Sequence, residues 1–160
     1  MSPIRNGATV AFKNVGTGTC IDLTESNPAD NTPIIGYQYD GTKNQHWRLE
    51  QVGMTGPWPV YMIKNLATGT YIDLFNGGKD SGTPIVGWQG GNTSNDDQRW
   101  RFITADPDTG EVVMIQNVGT GTFIDLYNGG SANSTKILGW AGEPGVNAAN
   151  THQQWKVVSV

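Results

Sequence analysis

One eleven-residue phrase occurs three times in this 160-residue chain. It reads Lys13-Asn-Val-Gly-Thr-Gly-Thr-Cys-Ile-Asp-Leu23, then Lys64-Asn-Leu-Ala-Thr-Gly-Thr-Tyr-Ile-Asp-Leu74, then Gln116-Asn-Val-Gly-Thr-Gly-Thr-Phe-Ile-Asp-Leu126, at intervals of 51 and 52 residues. Each copy is followed by a second phrase, Ile34-Ile-Gly-Tyr37, Ile85-Val-Gly-Trp88 or Ile137-Leu-Gly-Trp140. A third phrase closes it: Gln45-His-Trp47, Gln98-Arg-Trp100 or Gln153-Gln-Trp155. A period this long marks one supersecondary unit repeated, so a function carried by one unit exists up to three times. The units span about 8–52, 59–104 and 111–160, and together they fill a single domain over 1–160.

Each unit reads as four short strands. In Cys20-Ile-Asp-Leu23 the side chains alternate, so Ile21 and Leu23 share one face and Asp22 projects from the other. The upstream Thr-Gly-Thr is a tight-turn signal, a Gly- and Asn-rich loop follows the Asp, and the Gln-x-Trp phrase opens the fourth strand. The 22 glycines, with hydrophobic residues at 36% and charged residues at 15%, suit an all-β chain with many turns, and helices should be few or single-turn. Twelve strands in three equivalent units predict a β-trefoil: three four-stranded repeats with pseudo-threefold symmetry, closed so that no long edge is exposed. A β-propeller normally needs more blades, and a sandwich leaves the repeat unexplained. Glu50 to Tyr61 and Thr104 to Gly110, which carry Pro57, Pro59 and Pro107, read as long surface loops.

A net charge of −4 with ten scattered basic residues argues against nucleic acid, which requires clustered Lys and Arg. His46 and His152 stand near no nucleophile motif, and neither metal-ligand spacing, a phosphate loop nor a dinucleotide fingerprint occurs. These patterns describe a binding protein, not an enzyme, without cofactor or metal. No segment is long enough to cross a bilayer, and the N-terminus has no apolar run of signal-peptide length. Cys20 is the single cysteine. A cytoplasmic location, or release outside the classical secretory route, is therefore expected.

Three residue types recur where the fold does not demand them. The first is the aspartate, Asp22, Asp73 and Asp125: either a turn-capping carboxylate or an outward acceptor able to bind two adjacent sugar hydroxyls. Read as outward, it should contribute little to packing. The second is the strand-end ring, Tyr37, Trp88 and Trp140: either a core aromatic or a platform for the apolar face of a pyranose. The third precedes each Gln-x-Trp and varies in type, as Asn44, Asp97 and His152, which points to three non-identical pockets. For the Gln and Trp of that phrase the structural reading is preferred, with Trp47, Trp100 and Trp155 in the core and the Gln amides tying neighbouring backbone.

The threefold Gln-x-Trp with its upstream Asp and strand-end aromatic resembles the ricin B-like β-trefoil lectins. Ile-Asp-Leu-Tyr/Phe-Asn-Gly, Ile-Val-Gly-Trp-Gln-Gly and His-Gln-Gln-Trp are especially similar to the mushroom agglutinins. The resemblance implies shallow sugar sites α, β and γ, formed by Asp22, Tyr37 and Asn44; by Asp73, Trp88 and Asp97; and by Asp125, Trp140 and His152. It also implies a backbone N–H offered to the sugar three residues after each aspartate, at Glu25, Asn76 and Asn128. The implied partners are glycans of glycoproteins or glycolipids ending in galactose or N-acetylgalactosamine, bound multivalently by an agglutinin that could be a homodimer, without membrane insertion. The α site departs from the others in having Tyr37 for Trp and Glu25-Ser-Asn-Pro28 for Asn-Gly-Gly. The alternative is a trefoil protease inhibitor or another protein-binding trefoil working through its loops.

Overall fold

The computed structural model describes residues 2–146 and 149–160. The first repeat supplies β1 (Thr9–Asn14), β2 (Cys20–Leu23), β3 (Thr32–Tyr37) and β4 (Trp47–Thr55). The second supplies β5 (Trp58–Asn65), β6 (Tyr71–Leu74), β7 (Thr83–Trp88) and β8 (Trp100–Thr104). The third supplies β9 (Val112–Asn117), β10 (Phe123–Leu126), β11 (Thr135–Trp140) and β12 (Trp155–Ser159). Only single 3₁₀ turns accompany them among the described residues, as the composition predicts.

The first and fourth strands of the repeats form a closed ring. β1 pairs with β4, β4 with β5, β5 with β8, β8 with β9, β9 with β12 and β12 with β1, all antiparallel. The second and third strands form three hairpins, β2–β3, β6–β7 and β10–β11. Those hairpins join in a triangle through β3–β7, β7–β11 and β11–β3 and cap one end of the barrel. This is the β-trefoil that the repeat predicts, and closure leaves each barrel strand paired on both sides.

The alternation in Ile-Asp-Leu places Ile21, Leu23, Ile72, Leu74, Ile124 and Leu126 in one core with Trp47, Trp100 and Trp155, all fully buried. Phe12, Tyr61 and Phe102 fill the barrel, with Phe12 and Phe102 meeting edge to face at 6.0 Å between ring centroids. The Ile-x-Gly-aromatic phrase has a packing cause. A Cβ on Gly36, Gly87 or Gly139 would lie 2.6–2.7 Å from Cδ1 of Leu126, Leu23 or Leu74. Each glycine is where the leucine of another repeat crosses its strand.

Thr-Gly-Thr is a turn in all three units. The glycine stands at φ +79, +76 or +77°, and the two flanking hydroxyls share a 2.7 Å hydrogen bond. One expectation is corrected. Glu50 to Tyr61 is no loop: β4 and β5 run together as a long hairpin with a bulge between Gln51 and Gly53, turning at Gly56. Pro59 is tolerated toward the hairpin's outer end, where β5 has no partner but β4, since its pairings with β8 begin only at Val60. Thr104 to Gly110 is the loop expected.

Candidate functional site

Each Gln-x-Trp phrase clamps one aspartate-bearing strand at two points. The indole Nε1 of Trp47, Trp100 and Trp155 donates to the carbonyl of Ile21, Ile72 and Ile124 at 3.1, 3.0 and 3.0 Å. Two residues earlier, Nε2 of Gln45, Gln98 and Gln153 donates to Oδ2 of Asp22, Asp73 and Asp125 at 2.9, 2.9 and 2.8 Å. The same amide nitrogen also donates to the carbonyl of Gln38, Gln89 or Ala141, the residue after the strand-end ring. One buried glutamine thus holds both the carboxylate and the end of the strand that carries the aromatic.

The aspartates project away from the core as alternation requires, yet they are not exposed. Asp22, Asp73 and Asp125 retain only 3, 5 and 4% of their accessible surface. The expectation of an outward carboxylate of little structural consequence is therefore corrected. The overlying loop and the glutamine cover it. The glutamines do tie backbone, as expected, but their second partner is the carboxylate itself.

Burial sets the electrostatics. Desolvation pushes the Asp22 carboxyl up to about 6, against the donations from Gln45 and Asn44, and Asp40 adds to the rise. Asp73 also rises to about 6 through burial, opposed by Gln98 and reinforced by Asp97 and Asp30. Asp125 is raised by burial too, with Gln153 and His152 pulling it back. Asp97 is raised by burial and by its neighbour Asp96.

The structure brings the other predicted residues to each aspartate. Tyr37, Trp88 and Trp140 lie directly across the ladder from Cys20, Tyr71 and Phe123 and are half-buried, neither core nor fully exposed. Trp88 packs beside Phe75 at 6.4 Å and Trp140 beside Tyr127 at 6.0 Å, so β and γ have two rings each. At α the corresponding residue is Thr24, whose hydroxyl donates to the Pro33 carbonyl. Asp22, Glu25, Tyr37 and Asn44 line a hollow of about 320 Å³ that Ser134 of the third repeat completes. Asp125, Asn128, Trp140 and His152 line one of about 200 Å³ with Tyr127 and Asn150.

The third residues behave differently. Asn44 Nδ2 turns onto Asp22 Oδ1 at 3.0 Å and onto the Leu23 carbonyl at 3.1 Å. Asp97 and His152 lean over a loop glycine instead: a Cβ on Gly77 would lie 2.7 Å from Asp97 Oδ1, and one on Gly129 would lie 2.5 Å from His152 Nε2. In the first repeat Ser26 occupies the equivalent place in the loop. At Asp73 and Asp125 the glutamine contact falls on Oδ2, without a counterpart among the described residues to the Asn44 bond on Asp22 Oδ1.

The residues implied to offer a backbone N–H share one geometry. Glu25, Asn76 and Asn128 all stand at φ +52°, followed by Ser26, Gly77 and Gly129 at +53, +60 and +62°. The α loop follows the same path as the others without their glycines, so its difference lies in side chains rather than in the backbone. Two further groups escaped the sequence reading. Asn14, Asn65 and Asn117 are buried, and their Nδ2 atoms donate to the carbonyls of His152, Asn44 and Asp96, which positions the segment carrying each third residue. Their signal was present, since the asparagine recurs second in every repeated phrase. Asp30, Ser81 and Asn133 reach across to accept from the N–H of Gln89, Ala141 and Gln38, and these cross-repeat contacts leave no repeated letter. No group of acidic, His or Cys side chains suited to a metal occurs among the described residues, and none of their helices is long and apolar enough to cross a membrane.

The fold agrees with that of known proteins. The Rhizoctonia solani agglutinin is 27% identical over 99% of this chain and 100% of that one, with a TM-score of 0.77. The Macrolepiota procera ricin B-like lectin, solved in complex with lactose, is 24% identical over 98% of this chain and 99% of that one, at a TM-score of 0.70. The designed 3-fold symmetric protein ThreeFoil superposes at 0.82 with 20% identity, over 95% of this chain and 99% of that one. The family described as ricin-type beta-trefoil lectin domain-like matches over residues 2–88 and again over 43–140. Its two overlapping matches cover most of the chain, and the protein belongs to the ricin-type β-trefoil lectin family.

Proposed function

We propose that the protein is a non-enzymatic, multivalent lectin that binds terminal galactose or N-acetylgalactosamine of glycoconjugates at up to three shallow sites. The observation that carries this reading is the convergence, in every repeat, of a glutamine-held aspartate and a half-buried ring, beside a third polar residue. A carboxylate accepts from two neighbouring hydroxyls, and the ring covers the apolar C–H face of the pyranose. The lactose held by the Macrolepiota procera lectin ends in galactose, which supports this sugar class.

The β and γ sites are the stronger galactose sites in this reading. Each offers two aromatic rings and a carboxylate oxygen to which no other described residue donates, whereas Asn44 already occupies Asp22 Oδ1 at α. Free galactose should bind at about millimolar strength per site, because shallow sites make few contacts, while glycan surfaces should bind far more tightly through multivalency. The test is a glycan array followed by galactose titration of the Asp73→Asn and Asp125→Asn variants, each of which should lose one site. A protein that bound no glycan on a broad array and inhibited a protease would instead be a protein-binding trefoil.

A further inference from the structure

The cap strands present an apolar surface on the face turned away from the central core. Along β3, β7 and β11 the side chains alternate, so Ile34, Ile85 and Ile137 enter the core. The opposite face of a half-solvated sheet is normally polar. Here it carries Pro33 and Ile35, Pro84 and Val86, and Lys136 and Leu138. The triangular pairing sets these against one another as Pro33–Val86, Pro84–Leu138 and Lys136–Ile35. They line a hollow of about 400 Å³ between the three strands, in which Lys136 is the one charged residue. That volume lies within the range of small-molecule pockets.

This hollow borders each of the three aspartate-bearing strands. Asp22 stands directly across the ladder from Ile35, Asp73 from Val86 and Asp125 from Leu138. Side chains so paired lie about 4.5–5.5 Å apart at Cβ. Tyr37, Trp88 and Trp140 follow two residues further on, on the same face of the strand. Ile35 lines the α hollow and the central one alike. In every repeat an aliphatic side chain of the central hollow therefore lies beside the aspartate.

We propose that the central hollow receives the apolar aglycone of a lipid-linked sugar whose pyranose sits at one of the three flanking sites. The inference rests on the sugar-site reading above and adds to it a shared apolar subsite. It explains why the outward face of the cap strands is aliphatic beside polar sites, and why its lining holds no carboxylate to repel a hydrocarbon. One bound alkyl group fills the hollow, so the three sites compete for it.

The experiment compares methyl and octyl β-galactoside by titration calorimetry, the octyl compound kept below its micelle-forming concentration. The octyl galactoside should bind about tenfold more tightly to the unaltered protein through burial of its chain. In the Pro33→Asp/Pro84→Asp double variant, which charges the exposed rim away from the sugars, methyl galactoside binding should persist and the octyl advantage should vanish. Intermolecular nuclear Overhauser effects from the octyl methylenes to the Val86 and Leu138 methyls give a second readout on the unaltered protein. Equal affinity for both galactosides, an advantage kept by the double variant, or octyl contacts elsewhere would overturn the inference while leaving the sugar sites standing. Failure of both galactosides to bind the unaltered protein would overturn the two together.

Discussion

Gln98 Nε2 lies 2.9 Å from Asp73 Oδ2, and both side chains are buried. Equivalent contacts join Gln45 to Asp22 and Gln153 to Asp125, so the aspartate is at once a ligand candidate and a structural member of its repeat. Asp73→Ala should therefore lower stability as well as abolish the β site, because it leaves the Gln98 amide short of a buried acceptor. The expected cost is about 1–3 kcal/mol. Urea unfolding and galactose titration of the same variant check both halves. Unchanged stability would show that the carboxylate is solvated and the contact dispensable.

The raised aspartates give a signed pH dependence. Asp22 and Asp73 titrate at about 6 in the folded chain, above the ordinary value of 3.8. Between those values the native state holds more protons than the unfolded one, so their contribution to stability falls as pH rises from about 4 to 6. Sugar binding should run the opposite way and strengthen over the same interval, because the ionised carboxylate is a stronger acceptor for a sugar hydroxyl than the protonated carboxyl. Carboxyl carbon shifts followed by NMR, with galactose affinity at pH 5 and pH 7, are the measurements. Affinity independent of pH would remove the carboxylates from the site.

Trp100 is fully buried and its indole N–H is satisfied by the Ile72 carbonyl at 3.0 Å. Trp100→Ala should cost roughly 3–5 kcal/mol, as for a large core aromatic. Trp88→Ala, in contrast, removes a half-buried ring and should affect galactose binding more than melting temperature. Thermal melts of the pair separate the core tryptophan from the site one.

The α loop carries two non-glycine residues in the left-handed region, Glu25 and Ser26 at φ +52 and +53°. The other repeats place glycine at the second of these positions, Gly77 and Gly129. Ser26→Gly should relieve strain and stabilise the protein by about 0.5–1 kcal/mol, after the greater chain entropy of glycine is counted. Chemical denaturation reads this directly, and a loss of stability would show that the serine side chain makes a compensating contact.

How far the sequence reached can be seen in single positions. The repeat period, the Ile-Asp-Leu alternation and the threefold Gln-x-Trp sufficed for a twelve-stranded trefoil with Ile21, Leu23 and Trp47 in its core, because core alternation and turn glycines are local signals written into consecutive residues. They also named the aspartates, the rings and the third residues that the fold brings together around the α and γ hollows. Pro57 and Pro59 misled, since a proline excludes a central strand but not the outer reach of a hairpin whose far side is unpaired. The burial of Asp22, the reach of Gln45 to it and the contact of Asn133 with the N–H of Gln38 were decided only in three dimensions. They join residues 23 and 95 apart, across strands and across repeats. A carboxylate's exposure depends on what folds over it, and no alternation along one strand records the loop and the amide that arrive from elsewhere in the chain.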